Sequence, residues 1–200
     1  MNTKHNHYYT ESPDSKLTKQ TIEYRLGGES FQLTTASGVF SKDRVDFGTR
    51  LMLDTILKED IKPSSILDLG CGYGVVGTTL GKLLGAKITM ADVNERALML
   101  AKENADRYGV EATDVKSDGF ESIEGAFDLI VTNPPVRAGK KAYYPWFDLA
   151  KDYLNDGGQF ICVLQKKQGA PSAKAKLTES FGNCEMIARD AGYHILRSIK

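Results

Sequence analysis

Three clusters of residues in this chain could do chemistry, and each sits where a strand gives out. The first is Ser65-Ile66-Leu67-Asp68-Leu69-Gly70-Cys71-Gly72-Tyr73-Gly74-Val75-Val76-Gly77. A short apolar run there meets four glycines and then a helical spacing. Glycine lets a ligand touch the backbone without a Cβ in the way. A strand, a glycine turn and a helix form the cradle of doubly wound α/β sheets, whose ligands lie beyond the carboxyl ends of the strands. The second is Asp92, which closes the strand Lys87-Ile88-Thr89-Met90-Ala91, 24 residues after Asp68. A carboxylate at that place can accept from both hydroxyls of a ribose, so the ligand contains a nucleoside. The third is the strand Phe127-Asp128-Leu129-Ile130-Val131-Thr132, which runs straight into Asn133-Pro134-Pro135. Two prolines fix φ behind the amide and hold it stiffly.

Each cluster has a plainer reading. Gly72-x-Gly74-x-x-Gly77 matches the dinucleotide fingerprint literally, so the glycines alone do not choose a ligand, and a tight turn would need them too. Asp92 could cap the next helix, since Asn94 follows closely. Asn-Pro-Pro could simply end a strand.

Taken together, Asp68-Leu69-Gly70-Cys71-Gly72-x-Gly74, Asp92 and Asn133-Pro134-Pro135 resemble a class I S-adenosylmethionine-dependent methyltransferase that acts on exocyclic amines. Upstream, Val39-Phe40-Ser41-Lys42-Asp43-Arg44-Val45-Asp46-Phe47-Gly48 is similar to a segment of the small-subunit ribosomal RNA guanine-N2 methyltransferases, where it lies over the methionine end of the cofactor. The resemblance implies S-adenosyl-L-methionine held by Asp68, Gly70, Gly72 and Gly74. Asp92, with Val93 beside it, would take the ribose, and Asp118 and Gly119 the adenine. Phe40, Asp46 and Thr49 become secondary candidates, with core packing and helix capping as the rival roles.

For the acceptor, the resemblance makes Asn133, Pro134 and Pro135 catalytic. The amide oxygen of Asn133, which also borders the cofactor, and the carbonyl of Pro134 would accept both N–H bonds of a base amine and aim its lone pair. Where the family carries Phe or Tyr, this chain has Val136. Stacking on a base is worth about 1–3 kcal/mol, so another ring is needed. Tyr143, Tyr144, Trp146 and Phe147 follow in what reads as the same loop, helix packing being the rival role for Trp146 and Phe147. Val136, Arg137, Lys140, Tyr143 and Tyr144 are the substrate-binding candidates.

The elements that must position these groups follow in order. Residues 1–20 read as a polar, flexible leader, with His5 and His7 as surface histidines and no metal site. A hairpin runs from Ile22 to Leu33 around Gly27-Gly28. Asp46 or Thr49 opens a helix, and Asn94 caps another that closes at Gly109. A third strand covers Ala112 to Lys116. A loop spans Val136 to Pro145 before a helix, and Gly157-Gly158 starts the strand Phe160 to Leu164. A helix covers Ala173 to Phe181, and a closing hairpin turns at Ala191-Gly192. The alternation predicts an α/β protein. The resemblance specifies a Rossmann-like class I methyltransferase fold: a mostly parallel seven-stranded sheet, helices on both faces and a C-terminal antiparallel hairpin. Residues 21–200 read as one domain.

Composition narrows the class. The chain has 200 residues, 41% hydrophobic and 26% charged, with no net charge. No apolar run is long enough for a membrane span. Three cysteines far apart form no disulfide framework and point to a reducing cytoplasm. The charge is uneven: residues 137–200 carry 11 Lys/Arg against 6 Asp/Glu. A basic rim beside the reacting group suits a phosphodiester, so the expected partner is RNA, ribosomal by the resemblance, with the chain a monomer or a homodimer. The alternatives are an adenine-N6 or protein glutamine methyltransferase, an NAD(P)-dependent oxidoreductase, or a non-catalytic RNA-binding relic of the fold.

Overall fold

The computed structural model describes residues 17–39 and 41–200. Phe40, His5, His7 and most of the expected leader therefore lie outside the described residues. The first hairpin begins earlier than its apolar pattern suggests: β1 (Lys19–Leu26) pairs antiparallel with β2 (Glu29–Ala36) across Gly27-Gly28, both with positive φ. Lys19 and Gln20 thus belong to a strand.

The main sheet has seven strands. β3 (Ser65–Leu69), β4 (Lys87–Asp92), β5 (Ala112–Lys116), β6 (Phe127–Thr132) and β7 (Leu154–Gln165) are parallel. The hairpin of β8 (Glu185–Asp190) and β9 (Tyr193–Ile199) completes it, with β9 antiparallel to both neighbours. The spatial order is β5-β4-β3-β6-β7-β9-β8. The chain leaves β3 toward β4 and later returns to β3's other edge with β6, which makes a switch point at the carboxyl ends of β3 and β6.

Side-chain alternation divides the interior into two cores. Ile66, Leu129, Val131, Ile161 and Val163 face α1 (Phe47–Lys58), α2 (Val75–Leu84), α3 (Glu95–Arg107) and the first hairpin. Leu67, Ile130, Phe160, Cys162 and Leu164 face α4 (Lys140–Leu149) and α5 (Ala170–Phe181). No helix among the described residues is long and apolar enough to cross a membrane.

Two boundaries depart from the sequence reading. Val136–Ala138 is a 3-10 turn, and α4 starts at Lys140 instead of after Pro145. Gly139, at φ 87, is the N-cap, and Pro145 sits inside the helix. Proline ordinarily marks a helix start or break, which is why the segment reads as a loop. α5 likewise begins at Ala170, with proline in its first turn.

One buried amide ties these parts together. Asn104 of α3 is fully buried; its Nδ2 donates to Thr34 O at 2.8 Å and Tyr73 O at 2.9 Å, and its Oδ1 accepts from Thr34 N at 2.7 Å. The hairpin, α3 and the turn after β3 therefore share one side chain.

Candidate functional site

A cavity of about 590 Å³ opens at the carboxyl ends of the parallel strands. Asp68, near the end of β3, turns toward the helix side and accepts from Gly77 N at 2.8 Å. The residue at the N-cap of α2 is Gly74, which has no side chain to offer, so Asp68 satisfies a first-turn amide in its place. A Cβ at Gly77 would lie 3.0 Å from Ile88 and Met90 and 3.2 Å from Asp68 Oδ2; glycine there seats the helix on the sheet. Burial pushes the Asp68 carboxyl up to about 7, against the Gly77 bond and with help from the Asp92 charge.

The glycine turn is fastened to the end of β4. Gly70 N and Cys71 N both donate to Ala91 O, at 2.8 and 2.9 Å. Gly72 N donates to Asp92 Oδ2 at 2.9 Å, and Asn94 N to Oδ1 at 2.9 Å. Burial raises the Asp92 pKa, opposed by backbone bonds from Asn94, Gly72 and Val93. Asn94 itself caps α3, accepting from Ala97 N at 3.2 Å. Asp92 therefore shapes the turn and borders the cavity at once, and three backbone bonds leave one of its four lone pairs for a ligand. Gly70, Gly72 and Val93 line the cavity with it.

Gly74 does not. It has φ 82, and a Cβ on it would meet Cα and Cβ of Ala101 at 2.9 Å. Its place in the motif serves the contact between α2 and α3.

At the end of β5, Asp118 and Gly119 line the cavity, Asp118 exposed. Ser117 Oγ donates to Gly119 O at 2.9 Å and accepts from Ser122 N at 3.0 Å, which fixes the turn. A Cβ on Gly119 would stand 2.4 Å from Trp146 Nε1, and one on Gly70 3.3 Å from the same ring. Trp146 therefore walls this half of the cavity. Sequence reasoning treated it as a stacking or packing residue and missed this role, because only the fold brings α4 across from two glycines far away in sequence.

Asn133, at the end of β6, is held by α1. Its Nδ2 donates to Asp46 Oδ2 at 2.9 Å and to Thr49 Oγ1 at 2.9 Å. Thr49 Oγ1 in turn donates to Asp46 Oδ2 at 2.6 Å, and Thr49 N to Asp46 Oδ1 at 3.1 Å. Asp46 is the N-cap of α1, so capping and site-building are one arrangement. Because an ionised carboxylate only accepts, the amide must turn its NH₂ toward it. Oδ1 of Asn133 is then left to accept. Pro134 O takes Val136 N at 2.8 Å, and Pro135 has φ −74 and ψ 67, an inverse γ-turn. One of the two lone pairs of that carbonyl is spent, so Asn133 is the freer acceptor. Pro134 and Pro135 both line the cavity.

The substrate-side candidates divide. Val136 and Arg137 line the cavity. Lys140 and Tyr144 do not, although Lys140 Nζ lies 5.5 Å from the Tyr144 ring centre. Tyr143 is 1% exposed and packs edge-on against Phe147 in the core. Since α4 starts at Lys140, Tyr143 and Phe147 share its inner face at a spacing of four. Tyr143 is therefore a core residue, and half-buried Tyr144 stands outside the cavity lining. Tyr193, the first residue of β9, and Lys167 border the cavity as well.

Known proteins resemble this chain over most of its length. The model of the methyltransferase small domain family matches residues 30–197. The uncharacterized protein YbxB of Bacillus subtilis (strain 168) is 44% identical, over 97% of this chain and 98% of its own length. Ribosomal RNA small subunit methyltransferase C of Actinobacillus pleuropneumoniae serotype 3 is 35% identical over 94% of this chain. The solved T. thermophilus 16S rRNA N2 methyltransferase (RsmC), in complex with AdoMet and guanosine, superposes with a TM-score of 0.83 at 25% identity over 94% of this chain. The chain spans 58% and 52% of the lengths of those two RNA methyltransferases.

Proposed function

Because the chain belongs to the methyltransferase small domain family, we propose that it moves a methyl group from S-adenosyl-L-methionine to the exocyclic N2 of a guanine in ribosomal RNA. The residues present suit the donor. Asp68 is a carboxyl whose pKa burial has raised, and a ligand ammonium beside it would favour the ionised form. Asp92 keeps a free lone pair at the cavity wall for a ribose hydroxyl, and Gly70 and Gly72 leave room beside the backbone. When bound, the donor supplies an electrophilic methyl group on a sulfonium.

One observation carries the acceptor assignment: the Asn133 amide, held at its nitrogen by Asp46 and Thr49, presents only its oxygen. An exocyclic base amine is a poor nucleophile because its lone pair is delocalised. Accepting one of its N–H bonds at Asn133 Oδ1, and the other at the spare lone pair of Pro134 O, draws the nitrogen toward tetrahedral geometry and orients it. The alkylated nitrogen is cationic and sheds a proton to water, so no dedicated base is required. Arg137 and Lys167 at the cavity wall suit the phosphates of RNA. The relatives' names favour guanine N2 over adenine N6 or a glutamine side chain. A ribosomal RNA substrate would place the work in the cytoplasm.

The test is the nucleoside content of ribosomal RNA from a strain lacking the chain, separated by liquid chromatography. N2-methylguanosine should fall, return with the wild-type chain, and stay low with Asn133→Ala. An unchanged profile overturns the RNA assignment. Asp46→Ala, which frees the amide to rotate, should lower turnover about 100-fold while cofactor affinity changes little.

A further inference from the structure

We propose that Tyr193, braced by Phe47, is the face on which the target base stacks, in place of the ring that Val136 does not provide. This rests on the reading of the site as an amine methyltransferase of RNA. A base must leave its stack to be methylated, and enzymes that extrude bases hold them against flat side chains.

The assignment comes by elimination and by placement. Among the described residues, three aromatic side chains line the cavity: Tyr73, Trp146 and Tyr193. Trp146 is buried, its ring against Gly70 and Gly119 at the tips of β3 and β5. Tyr73 is buried, with its hydroxyl on Ser41 O at 3.3 Å. Tyr193 is half-buried. Its ring packs over Gly48, where a Cβ would come within 2.6 Å of it. Gly48 directly precedes Thr49, the residue that holds Asn133. The ring and the amide acceptor therefore both rest against the first turn of α1.

The surroundings suit a purine on a phosphate chain. Phe47, 46% exposed, tilts against Tyr193 with ring centres 5.6 Å apart, an apolar edge reaching solvent. On the sheet, Tyr193 pairs with Gln165 of β7, and Gln165, Lys167 and Gln168 line the same wall. An aromatic ring, an exposed ammonium and two amides thus border the cavity together.

The probe is guanosine 5′-monophosphate, with adenosine 5′-monophosphate beside it, titrated into the full chain saturated with S-adenosylhomocysteine and followed by NMR line shifts of the purine protons. The wild-type chain should bind a purine nucleotide and shift its protons upfield. Tyr193→Ala should weaken that binding by roughly 5- to 150-fold, and Tyr193→Phe by less than twofold. Tyr193→Leu keeps a side chain over Gly48 but removes the ring, and should behave like Ala. Affinity for S-adenosylhomocysteine should stay within twofold in all three. No purine binding by the wild type, full binding by Ala and Leu, a Phe variant as weak as Ala, or a parallel loss of S-adenosylhomocysteine would each overturn the assignment. Methyl transfer by Asn133→Ala separates the two claims. If that variant keeps turnover while Tyr193→Ala loses purine, the acceptor reading fails and the stacking face stands. If it loses turnover while Tyr193→Ala keeps purine, only the stacking face fails.

Discussion

Asp68 shows what burial does to a single group. Its pKa, up to about 7 from an ordinary 3.8, means that carrying a charge there costs about 4 kcal/mol. A raised carboxyl adds its stability fully below its unfolded pKa and loses it as pH rises through the folded one. The free protein should therefore lose stability between about pH 4 and 7, and a cationic ligand should recover it by favouring the ionised form. Cofactor affinity should rise with pH up to about 7 with proton release, read by calorimetry in buffers of different ionisation enthalpy. Asp68→Asn should flatten that rise; a wild-type affinity independent of pH would remove Asp68 from ligand binding. At this scale the sequence was informative where chemistry and local spacing coincide, as at Asp68, Asp92 and Asn133. It could not reveal the bonds from Asn133 to Asp46 and Thr49, which span more than 80 residues, nor that Gly74 serves helix packing.

Among the elements, strand positions and helix caps were legible because each has its own period or punctuation: Asp46 and Asn94 cap α1 and α3. The start of α4 was not, since Pro145 inside the helix carries the signal of a break. Misplacing that start turned Tyr143 from a core residue into a loop candidate. The turn between β8 and β9 was legible in kind but not in cost. Asp190 pairs with Tyr193 across Ala191 and Gly192, and Ala191 has φ 45. A residue with a Cβ loses about 1–2 kcal/mol in the left-handed region, which asparagine tolerates better. Ala191→Asn should therefore raise stability by about 0.5–1 kcal/mol in urea unfolding, and leave cofactor affinity unchanged. Lower stability would mean that the turn needs alanine for another reason.

For the whole molecule, the α/β plan was the most legible layer: alternation points to its layers, and the family resemblance to a seven-stranded sheet that ends in an antiparallel hairpin. The attachment of the first hairpin was hidden, because it runs through a buried polar side chain in a helix that reads as amphipathic. Replacing Asn104 with alanine orphans Thr34 N, Thr34 O and Tyr73 O. Each buried unpaired group costs about 1–3 kcal/mol; with partial rehydration the loss should be about 2–4 kcal/mol in denaturant unfolding. A loss under 1 kcal/mol would show that water replaces the amide. The same linkage has a consequence in time. Thr34 and the turn at Tyr73 are fastened to one amide, so local opening of either loosens the other. Occupancy of the cavity should thus be audible at a distance, as slower deuterium uptake by the Thr34 amide, a reporter that touches no ligand.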